Sequence, residues 1–283
     1  MNDVLFNEYD YVINSVHDIS YSEIKNKVKA LTDFSSYNRN DKEKFEKLLC
    51  CLQSDKRMNV QKLACSLKNA ADKNENEVSR VKAMYDFDKS YGRTLTICGT
   101  DEVGRGPLAG PIAAGAVILD LNCIQSDMLL GIKDSKKLSP AQREKLSPII
   151  RKKALYYNIS LLDSNIIDEK GISWCNNEVL LRACTGIKFR PDIVLSDGYS
   201  VKKINIDNKY IIKGDAKSAS IACASIIAKV YRDNLMKEYS LIYPQYGFER
   251  NMGYGTEEHI EALRKYGPCA IHRISFLKNI LNL

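Results

Sequence analysis

Two adjacent carboxylates, Asp101 and Glu102, follow the apolar run Thr96-Ile97-Cys98-Gly99-Thr100 and precede a loop rich in glycine and proline. Neighbouring acids repel each other, and a bound hard cation with oxygen ligands would offset that repulsion. The segment Gly104-Arg105-Gly106 could bring main-chain N–H groups close to an anion while its guanidinium contacts phosphate. The pattern indicates a metal and phosphate site; a strand-to-turn junction with a solvated Asp-Glu pair is the alternative.

Two further acids repeat this arrangement later in the chain. Asp197 follows Ile193-Val194-Leu195-Ser196, and Asp215 follows Tyr210-Ile211-Ile212-Lys213-Gly214, so each is expected at the end of a strand. The carboxyl ends of parallel strands are where open α/β sheets bind ligands. A site made only of carboxylates favours Mg²⁺ or Mn²⁺ over zinc. For each acid alone, a strand-end turn or helix cap remains the competing interpretation.

Basic and aromatic residues could complete such a site. Lys136 and Lys137 lie in a loop that leads into a helix, for which Ser139 is the expected N-cap and Pro140 the first residue, and both lysines could meet phosphates. Tyr254 lies between two glycines, which could present its ring to a sugar or base. A core tyrosine in a glycine turn is the alternative. The three histidines, at positions 17, 259 and 272, are too scattered for a histidine-rich metal site.

The elements that would position these residues change in character near residue 93. The first 93 residues contain one glycine and no proline, and apolar residues at helical spacing predict a small helical module there. Beyond that point, short apolar runs bounded by turn residues predict strands, with helices over 176–186 and 218–239. The first three strands can pair antiparallel, which predicts a mixed sheet flanked by helices. The predicted strands are Leu95 to Thr100, Ala113 to Leu119, Leu155 to Leu162, Ile193 to Ser196 and Tyr210 to Ile212.

Composition limits the class of protein. The net charge is +7, and residues 1–93 hold 16 basic against 15 acidic residues, which leaves 26 against 20 in the remainder. A basic surface around an acidic pocket suits a polyanionic substrate. Nine cysteines without a Cys-x-x-Cys pair favour reduced, mostly buried thiols over a disulfide framework or a zinc site. No long apolar run and no signal-like start are present, so a cytoplasmic location is expected.

The motifs taken together resemble bacterial ribonuclease HII in order and spacing over residues 95–276. The N-terminal part resembles the extension found in the enzymes of low-GC Gram-positive bacteria. The motifs that carry the resemblance are Asp101 to Pro111, Asp134 to Leu138, Ser196-Asp197-Gly198, Lys213-Gly214-Asp215, Ser220 to Asp233, Gly253 to Thr256 and His272 to Phe276.

The resemblance implies a ribonuclease H-like fold, a mixed five-stranded sheet flanked by helices, with a catalytic domain over 94–283 and C-terminal helices. It also implies hydrolysis of RNA in RNA–DNA hybrids and cleavage 5′ of single ribonucleotides in duplex DNA, by a monomer that leaves 5′-phosphate and 3′-hydroxyl ends. Asp101, Glu102, Asp197 and Asp215 would hold two Mg²⁺ or Mn²⁺ ions, about 4 Å apart.

By the same resemblance, Gly104-Arg105-Gly106 would read the ribose 2′-hydroxyl, and Tyr254 would stack on the following sugar. Met252 departs from the family, which usually has lysine there, and a phosphate contact is thereby lost. Two alternatives remain open. One is a ribonuclease HIII-type enzyme, which usually carries a sheet-containing N-terminal domain, and the other is a catalytically silent nucleic-acid-binding module.

Overall fold

The structure, a computed structural model, describes residues 10–30 and 39–281. The chain divides into two compact units, one of residues 1–80 with 124–128 and one of residues 81–123 with 129–283. No helix in the described ranges has both the length and the apolar composition needed to cross a membrane.

The described residues of the first unit form helices joined by turns and include no strand. Its helices are α1 (Tyr21–Ala30), α2 (Arg39–Gln53) and the first part of α3 (Met58–Lys89), and residues 10–15 are also helical. The apolar residues that predicted these helices form the core of the unit, because their helical spacing places them on one face. The core residues include Phe45, Leu48, Leu49, Leu52, Val60, Ala64 and Leu67.

The second unit is built on a mixed five-stranded sheet of order β3-β2-β1-β4-β5. Antiparallel pairing joins β1 to β2 and β2 to β3, whereas β4 pairs parallel to both β1 and β5. The prediction of a mixed sheet with three consecutive antiparallel strands is confirmed. The strands are β1 (Ile97–Val103), β2 (Ile112–Ile118), β3 (Tyr156–Leu162), β4 (Ile193–Asp197) and β5 (Asp207–Ile211).

Helices cover both faces of this sheet. On one face, α6 contributes Cys175, Val179 and Ala183 to a core shared with β1 and β2. On the other face, α8 lies so close to β1 that a Cβ on Gly99 would overlap the main chain of Ser220 and Ile221. The helices of the unit are α4 (Pro140–Lys153), α5 (Ser164–Lys170), α6 (Ile172–Thr185), α7 (Gly214–Lys217), α8 (Ala219–Ile242), α9 (Phe248–Asn251), α10 (Glu257–Tyr266) and α11 (Ile274–Leu281).

Local sequence signals explain where two of these helices begin. Ser139 caps α4 in a capping box with Gln142, and Pro140 is the first helical residue, as the sequence predicts. Ser218 caps α8 by accepting a hydrogen bond from the main-chain N–H of Ile221. All nine cysteines are free thiols, as expected, but only four of them are buried, so the expectation of mostly buried thiols is wrong. The two exposed ones, Cys50 and Cys65, lie on α2 and α3.

Asp88, in the last turn of α3, also holds the start of α8. Its Oδ2 accepts a hydrogen bond of 2.9 Å from the main-chain N–H of Ser220, and the side chain is completely buried. Burial raises the pKa of Asp88 to about 6, against opposing hydrogen bonds from Ser218 and Ser220. Because the folded pKa lies above the unfolded value, the stability that Asp88 contributes is greatest at acidic pH and is lost as the pH rises through about 6.

We therefore expect Asp88→Asn to flatten the pH dependence of stability, since the amide keeps an acceptor oxygen but cannot ionise. Between pH 4 and pH 7 the original protein should lose about 2 kcal/mol relative to the variant, which is most of the effect of a pKa rise from 3.8 to about 6. Denaturant unfolding of both proteins at several pH values measures this difference. A difference that does not change with pH would contradict the assignment.

Candidate active site

Asp101 and Asp197 lie side by side toward the carboxyl ends of two parallel strands, Asp197 as the last residue of β4 and Asp101 two residues before the end of β1. Thr100 of β1 is paired in register with Ser196 of β4, so the next residue on each strand is one of the two acids. Asp197 Oδ1 accepts a hydrogen bond of 2.7 Å from the main-chain N–H of Gly214. The sheet register therefore produces the neighbouring carboxylates that the separate strand-end motifs predicted.

Burial and the charges of neighbouring acids raise the pKa of Asp101 and of Glu102. Asp101 is buried, and burial followed by the charges of Glu102, Asp197 and Asp215 holds its pKa well above the usual range, against a hydrogen bond from Ser225. For Glu102, burial again has the largest effect, and Asp197 also raises its pKa. The four predicted carboxylates are thus close enough to interact electrostatically, as a site for cations requires.

Asp215 reaches this cluster from a different element than the sequence predicted. The expected strand Tyr210 to Ile212 is instead Asp207–Ile211, which is mostly exposed because it lies at the edge of the sheet. Lys213 then takes a left-handed conformation (φ 56°), and Asp215 falls in the first turn of the short helix α7. The prediction that Asp215 lies at the end of a strand is wrong, because Asp215 lies in α7; its charge nevertheless acts on Asp101.

Asp134 is a carboxylate that the sequence motif contained but that we did not single out. Burial, then the charge of Asp197, then the charge of Asp134 and a hydrogen bond with it raise the pKa of Asp215 to about 6. Asp134 also accepts a hydrogen bond of 2.9 Å from the main-chain N–H of Lys136. The feature of the sequence that could have identified Asp134 as a site residue is its position near the two predicted lysines.

The donor set fits a hard cation. Glu102 Oε2 is buried without a hydrogen-bond partner, and the surrounding donors are carboxylate oxygens. Within residues 10–30 and 39–281, no three His, Cys, Asp or Glu side chains are gathered tightly enough to hold a metal ion as they stand. A cation would therefore have to draw these carboxylates together, and its positive charge would offset their mutual repulsion.

Residues 104–111, here called the glycine loop, accept main-chain hydrogen bonds from two buried arginines on the inner side of the loop. Arg273 donates to the main-chain carbonyls of Gly104, Arg105 and Gly110 at 2.6 to 3.0 Å. Arg232 donates to the carbonyls of Ala109 and Pro111 within the loop and to that of Met252. Both side chains are 0% exposed, so the carbonyl oxygens replace water around the guanidinium groups.

Burial and the nearby charge of Arg232 lower the pKa of Arg273 to about 9. Gly104 has a φ of +89°, and a Cβ there would overlap the Arg232 side chain. The fixed conformation of the glycine loop thus depends on both arginines and on the absence of a side chain at position 104. The sequence motifs contain Arg232 and Arg273 but do not predict this role for them, because a motif does not show whether an arginine in it is buried.

Basic side chains border the carboxylates. Arg105 Nη1 lies 3.9 Å from Glu102 Oε1, and the Arg105 guanidinium lies over the ring of Tyr199, 5.3 Å from its centroid. The charge of Lys136 lowers the pKa of Glu102 and of Asp215, so Lys136 faces the cluster. Lys137 is exposed on the same turn. Tyr199 is a further residue that the sequence did not single out.

Tyr254 lies beside the glycine loop with its ring 42% exposed. A Cβ built on Gly106 would lie 4.0 Å from the Tyr254 ring, so the aromatic side chain and the loop border one surface. Met252 has a left-handed conformation (φ 50°) and its carbonyl accepts from Arg232. The structure therefore brings together the predicted acids, the Gly104-Arg105-Gly106 segment and Lys136 at the carboxyl ends of β1 and β4. Tyr254 lies next to the glycine loop.

A solved structure shares this arrangement of elements. The ribonuclease H2 from Pyrococcus horikoshii is 28% identical and superposes with a TM-score of 0.58, covering 66% of this chain and 98% of that one. Together with this similarity, the fold of this chain and the carboxylates on its central parallel strands define a hydrolase of the ribonuclease H type.

Comparison of the sequence gives the family. The family model for ribonuclease HII matches residues 98–279, and the model for the ribonuclease HII N-terminal domain matches residues 22–92. The ribonuclease HII of Clostridium tetani is 62% identical, covering 81% of this chain and 85% of that protein. That of Clostridium botulinum is 56% identical, covering 95% and 99%. The chain belongs to the ribonuclease HII family, which excludes the ribonuclease HIII alternative.

We expect Gly104→Ala to destabilise the second unit, because a left-handed backbone costs an L-residue about 1–2 kcal/mol and overlap with buried Arg232 adds about 1–3 kcal/mol. The matched control is Gly106→Ala, where the new methyl group would meet only the Tyr254 ring at ordinary contact distance. Thermal unfolding should show a fall of several degrees for the first variant and little change for the second. Equal melting temperatures would contradict this account of the loop.

Proposed function

We propose that this protein hydrolyses the RNA strand of RNA–DNA hybrids and cleaves 5′ of single ribonucleotides embedded in duplex DNA, leaving 5′-phosphate and 3′-hydroxyl ends. The observation that carries the proposal is the convergence of four carboxylates from separate parts of the chain beside a rigid glycine loop. The acids supply a cation site at the scissile phosphate, and the loop supplies a surface that can distinguish sugars.

Asp101, Glu102, Asp197 and Asp215 hold the divalent ions, with Mg²⁺ or Mn²⁺ matching their oxygen donors. The unpartnered Oε2 of Glu102 and the raised pKa values of Asp101 and Asp215 support this assignment. Bound at this site, a pair of such ions supplies an activated water and neutralises charge on the leaving oxygen. The chain itself orients the acids through the sheet register and the Gly214 N–H.

Recognition falls to the surface next to the acids. The Gly104-Arg105-Gly106 segment reads the ribose 2′-hydroxyl, which is the group that separates RNA from DNA at one position. The carbonyls of Gly104 and Arg105 accept from the buried Arg273, so these two carbonyls face away from the substrate and the other side of the loop is left for it. Tyr254 stacks on the sugar that follows the ribonucleotide, and Lys136 and Lys137 contact phosphates.

The remaining proposals concern the state of the protein. We propose that it acts in the cytoplasm as a monomer, with residues 94–283 as the catalytic domain and residues 1–93 as a helical N-terminal extension. The excess of basic residues beyond residue 93 supports this division, because a polyanionic duplex would be drawn to the catalytic part of the chain.

Asp101→Asn and Asp197→Asn should abolish cleavage while duplex binding stays largely intact, because contacts to the phosphate backbone supply most of the affinity. The matched control is Asp192→Asn, a change at the opposite end of the strand that carries Asp197, where the carboxylate accepts from the main-chain N–H of Thr96. The assay digests a duplex with one ribonucleotide and a duplex with several, each with Mg²⁺ and with Mn²⁺. Near-normal turnover by both active-site variants would refute the assignment.

Tyr254→Ala should lower the cleavage rate at a lone ribonucleotide by about tenfold or more, since base or sugar stacking on an aromatic ring is worth about 1–3 kcal/mol. Tyr266→Ala removes another exposed tyrosine of the same unit and serves as the control. Single-turnover rates on the one-ribonucleotide duplex measure both effects. An unchanged rate for the Tyr254 variant would remove this residue from recognition.

A further inference from the structure

A hydrogen-bonded pair of histidines lies beneath the surface that carries Tyr254. His259 and His272 are 0% and 2% exposed, and their Nε2 atoms are 3.0 Å apart. Two neutral imidazoles can approach in this way only if one nitrogen donates and the other accepts. No local sequence pattern predicts this pair, because the two residues are separated by thirteen positions.

The partners of the other ring nitrogens fix the direction of this hydrogen bond. The main-chain N–H of Cys269 donates to His272 Nδ1 at 2.9 Å, so that nitrogen carries no proton and His272 Nε2 does. His272 therefore donates to His259 Nε2. The proton of His259 then lies on Nδ1, which donates to the carbonyl of Tyr254 at 2.9 Å. One continuous chain of hydrogen bonds runs from Cys269 to Tyr254.

Aromatic side chains enclose this chain. The ring centroid of Tyr246 lies 4.8 Å from that of His272, and the centroid of Phe248 lies 5.4 Å from that of His259. Burial lowers the pKa of both histidines, that of His272 to about 4, so both rings are neutral near pH 7. In such a dry environment a hydrogen bond is strong, and a lost partner is costly.

Cys269 and Tyr254, the two ends of this series of hydrogen bonds, belong to the two segments that hold the glycine loop. On one side, the carbonyl of Gly253 accepts from the N–H of Leu108 at 2.8 Å. On the other, the carbonyl of Ile271 accepts from the N–H of Gly110, and the N–H of Arg273 donates to the carbonyl of Leu108, each at 2.8 Å. The loop is thus bonded to both segments, and the histidine pair joins those segments to each other.

We propose that the His259–His272 hydrogen bond sets the position of Tyr254 relative to the Gly104-Arg105-Gly106 segment, which makes His272 a positioning residue for recognition of a single ribonucleotide. The proposal rests on the function proposed above. With one ribonucleotide, the 2′-hydroxyl reader and the stacking ring must engage two defined neighbouring sugars at once. In a continuous RNA strand every register offers a 2′-hydroxyl, so a looser arrangement still finds one.

Two substitutions at position 272 separate positioning from general folding. His272→Asn keeps an acceptor where Nδ1 accepts from Cys269 but cannot reach His259, whereas His272→Gln places an amide donor near the position of Nε2. The measurement is kcat/KM on a duplex with one ribonucleotide divided by kcat/KM on a continuous hybrid. We expect this ratio to fall about tenfold for the asparagine variant, the worth of one buried hydrogen bond, and to stay within about twofold for the glutamine variant.

A double variant tests whether the effect passes through Tyr254. In a Tyr254→Ala background, His272→Asn should change the ratio no further, because the ring that it positions is already absent. An equal loss on both substrates by His272→Asn, or the same additional loss in the Tyr254→Ala background, would overturn the proposal. Thermal unfolding of each variant shows whether it folds.

His259→Asn offers a second route should His272→Asn fail to fold. It keeps a donor to the Tyr254 carbonyl but loses the bond to His272, so it should lower the same ratio. An unchanged ratio in this folded variant would also overturn the proposal. If the original protein cleaves neither substrate, the proposed function fails. If it cleaves both and only the variant ratios stay constant, the positioning role alone fails.

Discussion

Like charges crowded at the carboxyl ends of β1 and β4 are the constraint on which the rest of the structure depends. The register of two parallel strands places Asp101 and Asp197 next to each other, and Glu102 is the residue after Asp101 within β1. Burial and mutual repulsion both disfavour three charged groups there. Because β1 is paired on both sides and covered by α6 and α8, its acids cannot move apart without loss of the sheet. A bound cation would offset this unfavourable electrostatic energy.

The surface beside the acids is shaped by hydrogen bonds to main-chain carbonyls rather than by side-chain packing alone. A guanidinium group offers five donors in one plane, so a single buried arginine can fix several carbonyls of a loop. Arg273 and Arg232 use this property on the glycine loop, and Arg232 also reaches the carbonyl of Met252 next to the segment that carries Tyr254. The loop and the tyrosine segment therefore form one supported surface, which suits the discrimination of sugars by shape.

Several features could be predicted from local sequence because they depend on neighbours in the chain. The capping box at Ser139 and the buried strand Ile193–Asp197 are examples, since capping and apolar runs are local signals. The prediction that Asp215 ends a strand is wrong. Tyr210-Ile211-Ile212 has the apolar composition of a buried strand but lies at the exposed edge of the sheet. Edge and centre of a sheet are distinguished by partners that are remote in sequence.

The sequence by itself determined the strands β1 to β4, the helices α4, α6 and α8, and the residue types that could do chemistry: carboxylates after apolar runs, glycines around an arginine, and a tyrosine between glycines. The tertiary structure alone decided which of these residues meet, because convergence depends on strand register and on helix packing. It placed Asp134 beside Asp215, buried Arg232 and Arg273 under the glycine loop, and joined His259 to His272. A hydrogen bond between residues far apart in sequence leaves no periodic pattern, so only the folded chain discloses it.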